Sequence, residues 1–110
     1  MTQDLSITHG EHRGFPAPLV TTPFSTAAVS LHGGQALSFV VEGFDDALWL
    51  SPESKRPPSA TRGGIPVCWP YFARQGQPDD VPQHGVVRTL PWELLGSSVE
   101  DDGTVSLRLA

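Results

Sequence analysis

From Ser25 onward the chain alternates. Ala27, Val29 and Leu31 are interleaved with Ala28, Ser30 and His32; past Gly33-Gly34, Leu37, Phe39 and Val41 are interleaved with Ser38, Val40 and Glu42. A period of two marks a half-buried strand, and two such runs across a Gly-Gly pair predict a β-hairpin. A second short strand pair is expected through residues 43–46, with 47–50 as its apolar run. Pro, Ser, Lys and Arg without period make 51–60 a loop. Strands return over 91–99 and 104–109, and the Asp102-Gly103 step between them is a strong hairpin signal. No stretch sustains a 3.6-residue period, and no internal repeat is visible.

Two regions break the alternation. Residues 1–24 are polar and then punctuated by Pro16, Pro18 and Pro23, which predicts an extended lead-in with one short strand around 19–22. Residues 62–72 read RGGIPVCWPYF. Gly63-Gly64 permits backbone geometry that other residues avoid, and Pro66 and Pro70 remove ladder donors. The expectation is a rigid, partly buried crossing segment, followed by an exposed loop over 73–82. The body of the domain is then 25–110. An alternating strand that ends at Ala110 with no turn after it would be an aggregation liability unless something pairs with it. That pattern is expected of a chain whose continuation is absent.

Composition agrees with a turn-rich fold. The 110 residues suffice for one modest domain, 38% are hydrophobic, and Gly and Pro contribute 11 each. Net charge is −5, against general binding of nucleic acid or of anionic membranes. Its distribution says more. Residues 55–88 hold five cations and two anions, whereas the remainder holds two cations and ten anions. A locally positive stretch in an acidic chain suits a small anionic ligand. No run approaches the roughly 20 apolar residues of a membrane helix. The N-terminus lacks the basic and apolar regions of a signal peptide, so a cytoplasmic location is expected. Cys68 stands alone between Val67 and Trp69, where a small buried hydrophobe in a reducing compartment is expected.

Candidate chemistry sits in two neighbouring segments, 62–72 and 83–92 (QHGVVRTLPW). Arg62 precedes bare glycine amides, a plausible anion cradle, and Arg88 follows Gly85 by three residues. Gln83 and His84 add an amide and an imidazole on one turn. Trp69, Tyr71, Phe72 and Trp92 flank these groups and can form either core or the walls of a sugar site. The blander alternatives stay open: arginines that brace loops and a histidine that is structural. His9 and His12 form a His-x-x-His pair in the lead-in, with no carboxylate cluster beside it to complete a metal site. Walker, GxGxxG, GxSxG, CxxC and HExxH motifs are all missing, and a single RGG triplet does not make an RNA-binding segment.

RGGIPVCWPYF, with HGVVR and then LPWEL at this distance, resembles the glucose-6-phosphate 1-epimerase branch of the aldose 1-epimerases. SLHGGQALSF and ALWLS are similar to two early strands of that family, and the likeness runs from about Ser25 to Leu95. One departure is Ala73-Arg74, where the family commonly has glycine. The resemblance implies an all-β fold, part of a galactose-mutarotase-like β-supersandwich of antiparallel strands with long loops. It implies interconversion of the α and β anomers of a hexose 6-phosphate, with no cofactor and no metal, by a protein that is a monomer at full length. By the same resemblance Arg62, Gln83, His84 and Arg88 match substrate-binding positions, the arginines suiting the phosphate and His84 making an auxiliary contact. The family's acid and base, a histidine and a glutamate, belong to the later half of a chain more than twice this long. No catalytic residue is therefore expected within these 110 residues, and Glu93 is expected to face solvent. A non-catalytic sugar-phosphate-binding module and a purely structural β-domain are the alternatives.

Overall fold

A computed structural model describes residues 5–52 and 61–110. The expected loop over 51–60 lies, from 53 onward, outside the described residues. Among these residues six strands form two antiparallel sheets: β1 (Ser6–His12), β2 (Phe15–Thr21), β3 (Ser25–Val29) and β4 (Ala36–Val41) in chain order, then a hairpin of β5 (Leu94–Val99) and β6 (Val105–Leu109). The one helical turn among the described residues is a 3-10 turn at Val87–Thr89.

The hairpin across Gly33-Gly34 forms where the alternation places it, but its buried face is mostly the other one: Ala28, Ser30, His32 and Ser38 are buried with Leu37, whereas Phe39 and Val41 are exposed. Its register pairs Ser25 with Val41 and Ala27 with Phe39, with an irregularity at Ala28/Val29. The second hairpin turns where Asp102-Gly103 predicts. Glu100 N–H donates to the Thr104 carbonyl at 2.8 Å, and the Asp102 carboxylate accepts the Thr104 N–H at 2.9 Å.

The lead-in is more ordered than its composition suggests. β1 and β2 form a full hairpin through Arg13-Gly14, both at positive φ, and β2 pairs onward with β3, so one sheet crosses residue 25. The two prolines of β2 are tolerated because pairing with β3 begins only at Leu19, leaving neither to donate on that side. His9 and His12 lie on β1 three residues apart, an odd spacing that sends them to opposite faces of the strand. The strand pair expected over 43–50 does not form; Leu50 makes a single bridge to Gly63. Asp46 explains the difference. Its carboxylate accepts the N–H groups of Phe39 (3.0 Å) and Leu48 (2.9 Å) and the Ser38 hydroxyl, which folds this stretch back on β4.

The core is small: Phe15, Ala17, Ala28, Leu37 and Leu50, with Leu19 packed against them. Much apolar surface stays open. The cross-strand row Val20–Ala27–Phe39 faces a hollow of ≈ 550 Å³ whose other wall includes Val105 and Leu107 of β6. Cys68 is half-buried rather than buried, and Trp69 and Phe72 are 63% and 60% exposed, so neither ring is core. Segment 62–72 makes isolated bridges at Gly63, Ile65 and Trp69 and no regular strand, as its glycines and prolines predict.

Candidate functional site

The turn between β3 and β4 organises the site. Ser30 N–H donates to the Gln35 carbonyl at 2.7 Å, closing residues 30–35 into a loop, and the Ser30 hydroxyl accepts the His32 N–H at 3.0 Å. Ser30, His32 and Gln35 are all buried. This turn holds both arginine-bearing segments.

On one side it holds the segment of Arg88. Gly33 N–H donates to the Leu90 carbonyl at 2.8 Å, His32 bridges Pro91, and Trp92 N–H donates to the Leu31 carbonyl at 2.6 Å. The contact is close enough to require glycine. Gly33 has φ +79, and a Cβ there would lie 2.2 Å from the Arg88 carbonyl oxygen. Arg88 itself is half-buried in the 3-10 turn, whose Val87 carbonyl accepts the Trp92 indole N–H at 3.1 Å.

On the other side it holds the segment of Arg62. Ala36 and Ile65 exchange both backbone hydrogen bonds, at 3.0 and 2.9 Å. A Cβ on Gly64 would lie 2.0 Å from the Ala36 carbonyl oxygen. The Gln35 side-chain amide donates to the carbonyls of Thr61 (3.4 Å) and Gly63. The Arg62 carbonyl accepts the Ser51 N–H at 3.0 Å, while the Arg62 side chain is exposed.

The two segments also fasten to each other. Trp69 bridges Gly85, and Val86 N–H donates to the Trp69 carbonyl at 2.9 Å. His84 is half-buried and locked to Ala73 twice: its N–H donates to the Ala73 carbonyl at 2.8 Å, and its Nδ1 accepts the Ala73 N–H at 3.0 Å. The Phe72 ring lies 4.8 Å away, tilted by 45°. With Nδ1 accepting, the neutral imidazole carries its proton on Nε2, which is then a donor. Gln83, beside it, is exposed. Tyr71 donates its hydroxyl to the Pro82 carbonyl at 2.7 Å, and Arg74 Nε donates to the Val81 carbonyl at 3.0 Å, closing the intervening loop.

The backbone thus joins the segments of all four expected residues, Arg62, Gln83, His84 and Arg88, around one turn. None of the four lines the hollow between the sheets. Glu93 is exposed and exchanges backbone hydrogen bonds with Ala110, consistent with a solvent-facing side chain. Among the described residues no cluster of three metal-ligating side chains occurs, and no helix is long and apolar enough to cross a membrane. Gln35 was not foreseen from the sequence, nor was the pairing of Ala73 with His84. The signal for Gln35 lay in HGGQ, where a polar residue directly follows the turn glycines.

Comparison with known proteins agrees with this architecture. The description of the aldose 1-epimerase family matches residues 19–110. Two relatives, each provisionally named glucose-6-phosphate 1-epimerase, come from Salmonella typhimurium (36% identical) and Escherichia coli K12 (38%). The matches cover 79% and 77% of this chain but 30% and 29% of the relatives. The chain therefore spans under a third of the length of these relatives. The crystal structure of a provisionally named mutarotase from Salmonella typhimurium superposes with a TM-score of 0.82 at 32% identity, over 99% of this chain and 37% of that one. The structure of HI1317 shares the fold at a TM-score of 0.70 and 23% identity, over 94% of this chain and 45% of that one. The six strands are accordingly part of a galactose-mutarotase-like β-sandwich, and the chain belongs to the aldose 1-epimerase family.

Proposed function

We propose that this chain supplies the sugar-phosphate-binding part of an enzyme that interconverts the α and β anomers of a hexose 6-phosphate such as glucose 6-phosphate. Family membership supports anomer chemistry, and the names of the relatives point to the phosphorylated sugar. One observation carries the assignment to these residues: a single turn, 31–36, binds the backbone on both sides of Arg62 and at Leu90, and packs Gly33 against the backbone of Arg88. Two fixed cations rooted on one short turn suit a dianionic phosphoryl group, which guanidinium forks bind by paired, charge-assisted hydrogen bonds.

In this reading Arg62 and Arg88 hold the phosphate, while Gln83 and the Nε2–H of His84 hydrogen-bond sugar oxygens. Anomer exchange needs a base to take the proton of the anomeric hydroxyl and an acid to give one to the ring oxygen. The C1–ring oxygen bond then breaks to give an aldehyde. Rotation about C1–C2 and the reverse proton transfers close the ring on the other face, with no net change in atoms or electrons. His84 is a donor and not the base, because its Nδ1 is occupied by Ala73. The acid and base are expected from outside these 110 residues, so this stretch alone should not accelerate anomer exchange. A cytoplasmic monomer, needing no cofactor, is the setting that goes with the proposal.

Binding of glucose 6-phosphate and of glucose by the intact protein tests it. Each charge-assisted phosphate contact is worth roughly 1.5–3 kcal/mol, about 10- to 150-fold in affinity. Arg62→Ala and Arg88→Ala should each weaken glucose 6-phosphate by about that factor and leave glucose little changed. Losses of thermal stability with unchanged affinity would instead make the arginines loop braces. Tight binding without any turnover would mark a non-catalytic module.

A further inference from the structure

We infer that Gln35 is the positioning residue that fixes Arg62, so that anion recognition depends on a buried amide in the β3–β4 turn. The functional half of this inference rests on the reading of Arg62 given above.

Gln35 is 1% exposed. Its two amide hydrogens point at the carbonyls of Thr61 and Gly63, the residues on either side of Arg62. The reverse amide orientation would set an oxygen against two carbonyl oxygens, so the donors must face this way. The arrangement has a cost: among the described residues, Gln35 Oε1 and Thr61 Oγ1 are both buried without a hydrogen-bond partner. An apolar side chain of the same shape would fill the space without orphaning an oxygen. What it would lose is the pair of donors, and with them the hold on the chain around Arg62.

The neighbouring bonds show what that hold controls. The Arg62 carbonyl is fixed by the Ser51 N–H and Gly64 N–H is fixed by the Trp49 carbonyl at 2.7 Å, so the root of a solvent-exposed arginine is tied down on both sides. Gln35 is the side chain that links this root to the turn holding Arg88. A long cationic side chain with a fixed root samples less space, and placing it in advance lowers the cost of ordering it on a ligand.

Gln35→Met in the intact protein tests the inference, since methionine keeps the length and removes the donors. By amide hydrogen exchange, Ser51 and Gly64 should exchange roughly tenfold faster, while Gly33 and Trp92, bonded on the other flank of the turn, stay unchanged. A uniform rise, or none, would overturn it. By glucose 6-phosphate affinity, the substitution should weaken binding roughly fivefold to tenfold, and this loss should vanish in an Arg62→Ala background yet persist in Arg88→Ala. Equal losses in all backgrounds would reduce Gln35 to general support of the fold and sink the idea. If Arg62→Ala alone leaves affinity intact, the role of Arg62 fails, and the exchange pattern alone then decides whether Gln35 fixes the segment. If the methionine variant does not fold, the side-chain amide protons of Gln35 in the unmodified protein decide instead. Slow exchange supports the two carbonyl bonds, and exchange at the rate of a solvated amide removes them.

Discussion

Ala73 occupies a conformation that its side chain disfavours. Its φ is +52, in the left-handed region where a Cβ crowds the following carbonyl, and His84, bonded to it twice, sits at φ +66. The resemblance read from the sequence implies glycine here, and the backbone fits that expectation: the double lock needs a residue that turns left. Ala73→Gly should therefore raise stability by about 0.5–1 kcal/mol. The gain is limited because glycine also gives the unfolded chain more freedom. Thermal unfolding checks it, and a lower midpoint would show that the loop is not strained at this residue. The departure at Ala73 was readable in the sequence. Its partner was not, because eleven residues separate Ala73 from His84 and no periodic pattern links an alanine amide to an imidazole.

Among the elements, the β3–β4 hairpin, the β5–β6 hairpin and the irregular course of 62–72 were legible because alternation, Asp-Gly and Gly/Pro punctuation each act locally. The β1–β2 hairpin was not. β1 is largely exposed and carries no apolar period, and Pro16 and Pro18 act as strand breakers unless one knows that β3 leaves them unpaired on one side. Residues 47–50 failed as a strand for a similar reason, since Asp46 diverts the neighbouring donors to its own carboxylate. That diversion has a pH signature. Burial raises the Asp46 pKa, but the Ser38 hydroxyl, the Phe39 and Leu48 amides and a smaller electrostatic contribution from His12 outweigh it, and the net shift is downward from 3.8. A carboxyl depressed in the folded state contributes its stability fully above the unfolded pKa, near 3.9, and loses it as pH falls through the lower folded value. Stability should thus fall as pH drops below about 4. Asp46→Asn should start less stable at pH 7 and show a flatter acid limb. Parallel acid limbs for the two proteins would mean that the carboxylate does not hold this stretch.

The whole molecule is long for its size. Its extents are 53 × 28 × 21 Å, and its radius of gyration of 15.1 Å exceeds the roughly 13 Å of a compact domain of this length. Among the described residues five form the packed core cluster, whereas Phe24, Phe44 and Trp49 are 71%, 74% and 68% exposed. Buried apolar area is the main favourable term in folding, and a chain that leaves this much in water has little left after conformational entropy. The ≈ 550 Å³ hollow places the open surface: Phe39 on the sheet looks across it to Leu107 of β6. The 110-residue chain by itself should therefore unfold in a broad, low transition and bind a hydrophobic dye before it melts. Phe39→Ser should reduce that dye binding while costing little stability, because a ring 43% exposed in an open hollow makes few contacts to lose. A sharp transition with no dye bound would require the two sheets to close on each other in solution, abolishing the hollow and burying Phe39.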